Sequence, residues 1–287
     1  MKTNLFVHLF IAALVFGIQA NAACGFQSTN VAQSQKNMVA TVSPIATQAG
    51  LDAIRGGGNA VDAAIAAALM LGVVDGYNSG IGGGCFILIH TPDGKLYAID
   101  GRETAPALAF RDFYRDENGK LQPTQSQTGA RAVAVPGALL AYEQAVARHG
   151  KRKFADLLEP AAKVASDGFE ITPLYSKRIR LTKDKIALFP ATTALLLNED
   201  GTPKAAGEVL RQPDLATTYR KIASEGTVDR FQLRYAIGCE QTVALCRKPI
   251  LPAMKRLIVL RLRHSIVIIL LLVFRRQVLE AFTSPRF

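Results

Sequence analysis

Hydrophobic and polar positions alternate along the chain in blocks that predict distinct elements. Residues 5–18 form an apolar run behind Lys2, and residues 27–36 are polar. Residues 38–42, Met-Val-Ala-Thr-Val, have the β-branched content of a short strand. Ser43 or Pro44 then opens a helical pattern through Ala46, Ala49, Leu51, Ala53 and Ile54, which Arg55 and Gly56-Gly57-Gly58 close. Asn59 reads as an N-cap with Asp62 three residues on, a variant of the capping box, ahead of an Ala-rich helix over residues 60–71. That helix is apolar nearly all round, which predicts burial. A glycine-rich bend, Gly80-Ile81-Gly82-Gly83-Gly84, runs into the apolar strand pattern Cys85–His90. Asp93-Gly94 is a hairpin turn signal, and residues 96–100 read as the returning strand. The remainder is mostly helical in period, notably 137–149, 154–166 and 214–225. Helices flanking an antiparallel hairpin predict α+β layers rather than repeated βαβ units.

The first block is an address rather than structure. Lys2, the apolar run and Ala20-Asn21-Ala22 before Ala23 make a signal peptide over residues 1–22, with the mature chain starting at Ala23. A buried N-terminal helix is the competing reading, and the abrupt change to polar residues argues against it. Cys24 raises lipidation of the first mature cysteine, but Asn21 stands where a lipobox prefers an aliphatic residue. The product is expected to be exported, periplasmic or secreted.

The 287 residues are 49% apolar and 20% charged, an ordinary globular balance. A net charge of +11 would suggest nucleic acid or an anionic membrane as partner, so its location matters. From Phe231 onward ten Lys/Arg face two Asp/Glu, a net +8 that leaves only +3 for the first 230 residues. The basicity therefore belongs to a tail. The body has no basic run interleaved with aromatics and the chain has no Trp, so nucleic acid is not an expected partner. Cys24, Cys85, Cys239 and Cys246 are too widely spaced for a zinc ribbon or a C-x-x-C redox pair, and no metal or cofactor is expected. A Cys239–Cys246 disulfide is compatible with export but nothing demands it.

Three motifs carry possible chemistry. The loop of Gly80, Gly82, Gly83 and Gly84 suggests a phosphate cradle, yet a strand follows it rather than a helix, and no Lys-Ser/Thr pair is present. Close backbone packing, where only glycine fits, is the preferred reading. For a Ser–His–Asp triad there are only His8, His90, His149 and His264, two of them in the leader or tail, and no G-x-S-x-G elbow. Asp100-Gly101-Arg102-Glu103-Thr104-Ala105-Pro106 comes directly off the second hairpin strand, where a scaffold can hold a side chain over a cleft. Arg102 fixed there can grip a carboxylate through two parallel charge-assisted hydrogen bonds. A local ion pair with Asp100 or Glu103 is the equally weighted alternative.

Taken in order, these strings resemble the γ-glutamyltransferase (glutathione hydrolase) family of N-terminal-nucleophile hydrolases. The matching stretches are Ala46-Thr47-Gln48-Ala49-Gly50, Gly57-Gly58-Asn59-Ala60-Val61-Asp62-Ala63-Ala64, Ser79 to Gly84, Asp100 to Pro106, Val135-Pro136-Gly137, Leu158-Glu159-Pro160-Ala161, Gly168-Phe169 and Gln212-Pro213-Asp214-Leu215. Each is weak alone, but all stand in the family's order across residues 38–231. Asp75-Gly76-Tyr77-Asn78 departs from the expected acidic residue and proline, and Cys85 replaces a usual glycine. The resemblance implies an αββα sandwich, here only its large-subunit half. It also implies attack of a threonine on a γ-glutamyl amide, typically glutathione, with the acyl group passing to water or an amino acid. On this reading Arg102 binds the α-carboxylate of the γ-glutamyl group.

The family's nucleophile is a threonine that opens a small subunit after self-cleavage and uses its own α-amine as base. The glycine pair of the oxyanion hole belongs to that subunit too. Thr192-Thr193 and Thr217-Thr218 lack the following histidine and aromatic of a processing site, so the chain is expected to stop short of its nucleophile and to be inactive alone. Residues 232–287 lose the resemblance and become Arg-rich and apolar, with an uninterrupted apolar run of nine residues from Ile266 to Phe274. That is about half of a membrane span. The tail reads as a shifted reading frame without settled packing. Two alternatives are a non-catalytic γ-glutamyl or amino-acid binding module and a protein held at a membrane surface by its tail.

Overall fold

The computed structural model describes residues 32–106, 109–225 and 268–271. The leader, Cys24, Cys239, Cys246 and most of the tail lie outside these residues. Residues up to Met38 are set apart from the rest as a separate unit, and the described part of that unit has no regular secondary structure. From Val39 on, helix α1 (Pro44–Arg55) leads into α2 (Ala60–Val74), and the hairpin strands β1 (Cys85–His90) and β2 (Leu96–Gly101) follow. A long loop with two 3-10 turns then reaches α3 (Ala138–His149) and α4 (Phe154–Asp167). The two-residue strand β3 (Phe169–Glu170), helices α5 (Pro173–Ile186) and α6 (Pro190–Leu196), strand β4 (Val209–Leu210) and α7 (Pro213–Glu225) complete the body.

Among the described residues from Val39 on, helix α2 is the one on which the most helices pack. Asn59 caps it as the sequence suggests: its side chain accepts from Val61 N (2.8 Å) and Asp62 N (3.2 Å), and the Asp62 carboxylate accepts from Asn59 N at 2.7 Å. Asp62 is fully buried and also accepts from the backbone N–H groups of Lys151 (2.9 Å) and Arg152 (3.1 Å), which ties the start of α2 to the α3–α4 turn. From Val61 to Val74 all but Ala64 are buried, in keeping with the apolar circumference. Helices α1, α3 and α4 pack on α2, and α7 packs on α4. Tyr219 of α7 is fully buried and donates its hydroxyl to Leu69 O at 3.0 Å.

The predicted hairpin forms, with Cys85 opposite Gly101 and His90 opposite Leu96 and with Gly94 at φ 80° in the turn. Cys85, Ile87, Ile89 and Ile99 enter the helical core, and α3 lies against both strands. The other face carries half-buried Phe86, Leu88 and Ala98 between buried His90 and Leu96 at one end and exposed Asp100 at the other. Two expectations need correction. Residues 38–42 make no strand; β-branched content without a partner ladder gives none, and Val39 instead packs its side chain over Gly50 of α1. The tail was expected to be unpacked throughout, yet Ile268–Leu271 forms a strand, β5, antiparallel to β1 in the sheet order β2-β1-β5. An open edge of β1 offers unpaired N–H and C=O groups, and an apolar β-prone segment satisfies them.

Candidate functional site: a cradled arginine

Arg102 sits one residue past the end of β2, where the strand hands over to the long loop. Its backbone N–H donates to Asp100 Oδ1 at 3.0 Å, and its guanidinium meets Glu103 Oε2 at 3.1 Å. The Glu103 side chain is 3% exposed and that of Arg102 31%, so the carboxylate is sunk into the protein and the guanidinium reaches the surface. Both sequence readings of Arg102 are therefore compatible, because a guanidinium has five N–H donors and a pair with Glu103 fixes its direction without using them all. The role of Glu103 as a sunken anchor is invisible to periodicity. Only its adjacency to Arg102 hinted at it.

The floor beneath this turn is glycine. A Cβ on Gly84 would lie 2.6 Å from Glu103 Oε2 and 2.8 Å from both Glu103 N and Gly101 O. One on Gly137 would lie 2.5 Å from Gly101 O and 2.7 Å from Arg102 O. Gly83 O accepts from Gly137 N and Ala138 N, each at 3.1 Å, and Thr104 and Val135 exchange backbone hydrogen bonds at 2.9 and 3.1 Å. The start of α3 and the glycine loop thus clamp residues 101–104 from two sides. Gly80 plays no such part, since a Cβ there meets nothing within 4 Å.

Both departures from the family pattern are accommodated locally. Cys85 fits because its register partner is Gly101, whose absent Cβ would lie 2.9 Å from the thiol sulfur. Burial pushes that thiol up to about 12, with the Glu103 and Asp100 carboxylates adding to the shift. Asp75 ends α2, accepts from Asn78 Nδ2 (3.2 Å) and Ser79 Oγ (3.3 Å), and has its carboxyl raised above the usual range by burial. Tyr77 stacks edge-on against Tyr175 at 4.9 Å. A polar and aromatic plug therefore replaces the expected proline turn.

Three of the four candidate threonine hydroxyls are tied down. Thr193 donates to Ile186 O (3.0 Å), Thr217 to Pro213 O (3.0 Å) and Thr218 to Asp214 O (2.8 Å), the last two being ordinary back-bonds within a helix. His90 lies at the far end of β1 from Arg102, and the His149 ring stacks on Tyr97 at 4.6 Å, so neither serves a triad near the cradle. A groove of about 620 Å³ between α1 and α4 contains none of the cradle residues.

A helical layer over one face of an antiparallel sheet, with a cradled arginine at a strand end, is the layering of one half of an N-terminal-nucleophile hydrolase. The gamma-glutamyltranspeptidase family model matches residues 46–236, and the chain belongs to that family. It is 39% identical over 210 residues to a glutathione hydrolase proenzyme of Bacillus subtilis, covering 72% of this chain and 35% of that protein. It is equally 39% identical over 201 residues to an acylase proenzyme of a Pseudomonas species, covering 68% of this chain and 36% of the relative. The crystal structure of Helicobacter pylori gamma-glutamyltranspeptidase superposes with a TM-score of 0.68 at 25% identity, over 80% of this chain and 70% of that one. The chain thus spans about a third of the length of these sequence relatives.

Proposed function

We propose that this chain supplies the donor-gripping half of a γ-glutamyl-processing hydrolase, with Arg102 holding the α-carboxylate of glutathione or a related γ-glutamyl compound. The observation that carries the proposal is the Arg102 cradle: a surface-reaching guanidinium, anchored by a sunken Glu103 and held on a glycine floor at the end of β2. Glutathione hydrolases among the relatives support the substrate class. In this reading the carboxylate clamp positions the γ-carbonyl for a threonine hydroxyl contributed by the complementary half of the family fold. That threonine's α-amine takes the hydroxyl proton and passes it to the amine that leaves as the C–N bond breaks, and water or an amino acid then resolves the acyl-enzyme. In this reading the nucleophile is not on this chain, which by itself binds and does not turn over. The export and shifted-frame readings of residues 1–22 and 232–287 remain part of this proposal.

Calorimetry of the full chain with glutathione tests the clamp. Saturable heat that disappears in Arg102→Ala and weakens in Arg102→Lys is expected, because an ammonium cannot copy the bidentate geometry. Heat that persists unchanged in Arg102→Ala places the donor elsewhere.

A further inference from the structure

The turn that carries the chain out of α2 is held by one residue. Asp75 ends the helix with its N–H on Leu71 O at 2.9 Å, and its carbonyl accepts from Asn78 N (2.9 Å) and Ser79 N (2.8 Å). Its carboxylate accepts from Asn78 Nδ2 on one oxygen and Ser79 Oγ on the other, and the Tyr77 hydroxyl bonds to it as well. Each residue from Tyr77 to Ser79 is thus tied to Asp75, which is only 4% exposed. Helix α5 closes the turn from outside. Tyr175 meets the Tyr77 ring edge-on, and a Cβ on Gly76 would lie 2.9 Å from the Tyr175 hydroxyl. Arg178 stands 5.9 Å from the centroid of the Tyr77 ring, and its charge favours the ionised form of Asp75.

What this turn delivers is the glycine loop. Gly83 comes four residues after Ser79. Between them Gly80 lies against α2, where a Cβ on Gly72 would be 3.6 Å from Gly80 Cα, and Ile81 is buried in the core. Gly83 O then receives the N–H groups of Gly137 and Ala138, and Gly84 leaves no room for a Cβ beneath Glu103. A segment this short, bonded at both ends and packed between them, passes a shift of Ser79 on to Gly83 instead of absorbing it.

We propose that Asp75 is a positioning residue for the donor clamp: through the glycine loop it sets the floor on which Glu103 and Arg102 stand, without touching the donor itself. The role rests on the reading of Arg102 as the carboxylate grip. Burial raises the Asp75 carboxyl above its ordinary range, against the hydrogen bonds of Tyr77, Asn78 and Ser79 and the Arg178 charge. The grip should therefore loosen on mild acidification, as the carboxylate gains a proton and loses acceptor capacity.

Asp75→Asn keeps the side-chain volume and replaces one acceptor oxygen by a donor that faces donors. Hydrogen exchange of the full chain, read by mass spectrometry, should show the Gly137 and Ala138 amides exchanging about tenfold faster in this variant, with the α7 amides unchanged. Ser79→Ala, which removes one donor and spares the carboxylate, should give a smaller change in the same direction. In calorimetry at about pH 7, Asp75→Asn should bind glutathione about tenfold more weakly than the unmodified chain. Between about pH 7 and pH 5 the unmodified chain should lose affinity, and Asp75→Asn should lose less. Unchanged exchange at Gly137 and Ala138 in both variants overturns the proposal. So does faster exchange throughout the chain, which marks lost stability rather than lost position, and so does faster loop exchange with unaltered affinity. No heat from the unmodified chain refutes the Arg102 reading and this proposal with it; the exchange measurement, which needs no ligand, separates that failure from a failure of Asp75 alone.

Discussion

Gly137 is the residue whose replacement most directly loads the arginine cradle. Its φ of −116° is open to any L-residue, so the cost of Gly137→Ala is steric rather than torsional. The added methyl would stand 2.5 Å from Gly101 O and 2.7 Å from Arg102 O, both backbone atoms. Reaching ordinary contact near 3.4 Å requires an opening of about 0.9 Å, and the movement can come only from the 101–104 turn or from the start of α3. The second route stretches the two hydrogen bonds to Gly83 O. Overpacking costs about 1–3 kcal/mol and two weakened hydrogen bonds about 1 kcal/mol each, against a gain of roughly 0.4–1 kcal/mol from stiffening the unfolded chain. The net expectation is about 2–4 kcal/mol, or a melting temperature lower by roughly 5–12 °C for a body of this size. Gly80→Ala is the control: with no atom within 4 Å of its Cβ it should shift the melt by no more than about 2 °C. Thermal melts by circular dichroism read both. If the two variants melt together, the clamp around Arg102 does not exist in solution.

Further expectations follow from the same geometry. Asp62→Ala removes the acceptor of three backbone N–H groups, those of Asn59, Lys151 and Arg152, and should cost about 3–5 kcal/mol in urea unfolding, with Asp62→Asn intermediate; a loss below about 1 kcal/mol would contradict the node. His149 is depressed below its ordinary 6.5 by burial and by Arg148, so the unfolded state binds the proton more readily. Its contribution is complete above about pH 6.5 and is lost as the pH falls through the folded value, so stability should decline there on acidification and the decline should flatten in His149→Asn. Cys85, with its thiol pushed up to about 12, should resist alkylation at pH 8 in the native chain and react on unfolding, as peptide mapping by mass spectrometry will show.

Local chemistry was the legible part of this fold. The capping box of α2 and the Asp93-Gly94 turn rest on side chains a few residues apart, and both form as read from the sequence. Strand content at residues 38–42 misled because β-propensity acts only where a neighbouring strand supplies the ladder, and among the described residues none pairs with this segment. The pairing of Ile268–Leu271 with β1 spans most of the chain and follows from an open sheet edge that no local pattern announces. At the site, Arg102 stood out through its position after a strand, and the glycine of Val135-Pro136-Gly137 was noted only as part of a resemblance. That Gly137, Gly84 and Glu103 converge on Arg102 depends on contacts across about 20 to 35 residues of sequence. The Cys85 substitution became intelligible only with its register partner, Gly101, in view.

The Arg102 clamp and the need for a complementary half can be tested together by co-expressing this chain with a family small subunit and measuring turnover of a γ-glutamyl anilide. Turnover is expected from the pair and not from the chain alone, with Arg102→Ala raising KM about a hundredfold through the lost bidentate hold on the α-carboxylate. Hydrolysis by the isolated chain at the rate of the pair, or an unchanged KM in Arg102→Ala, would contradict the account.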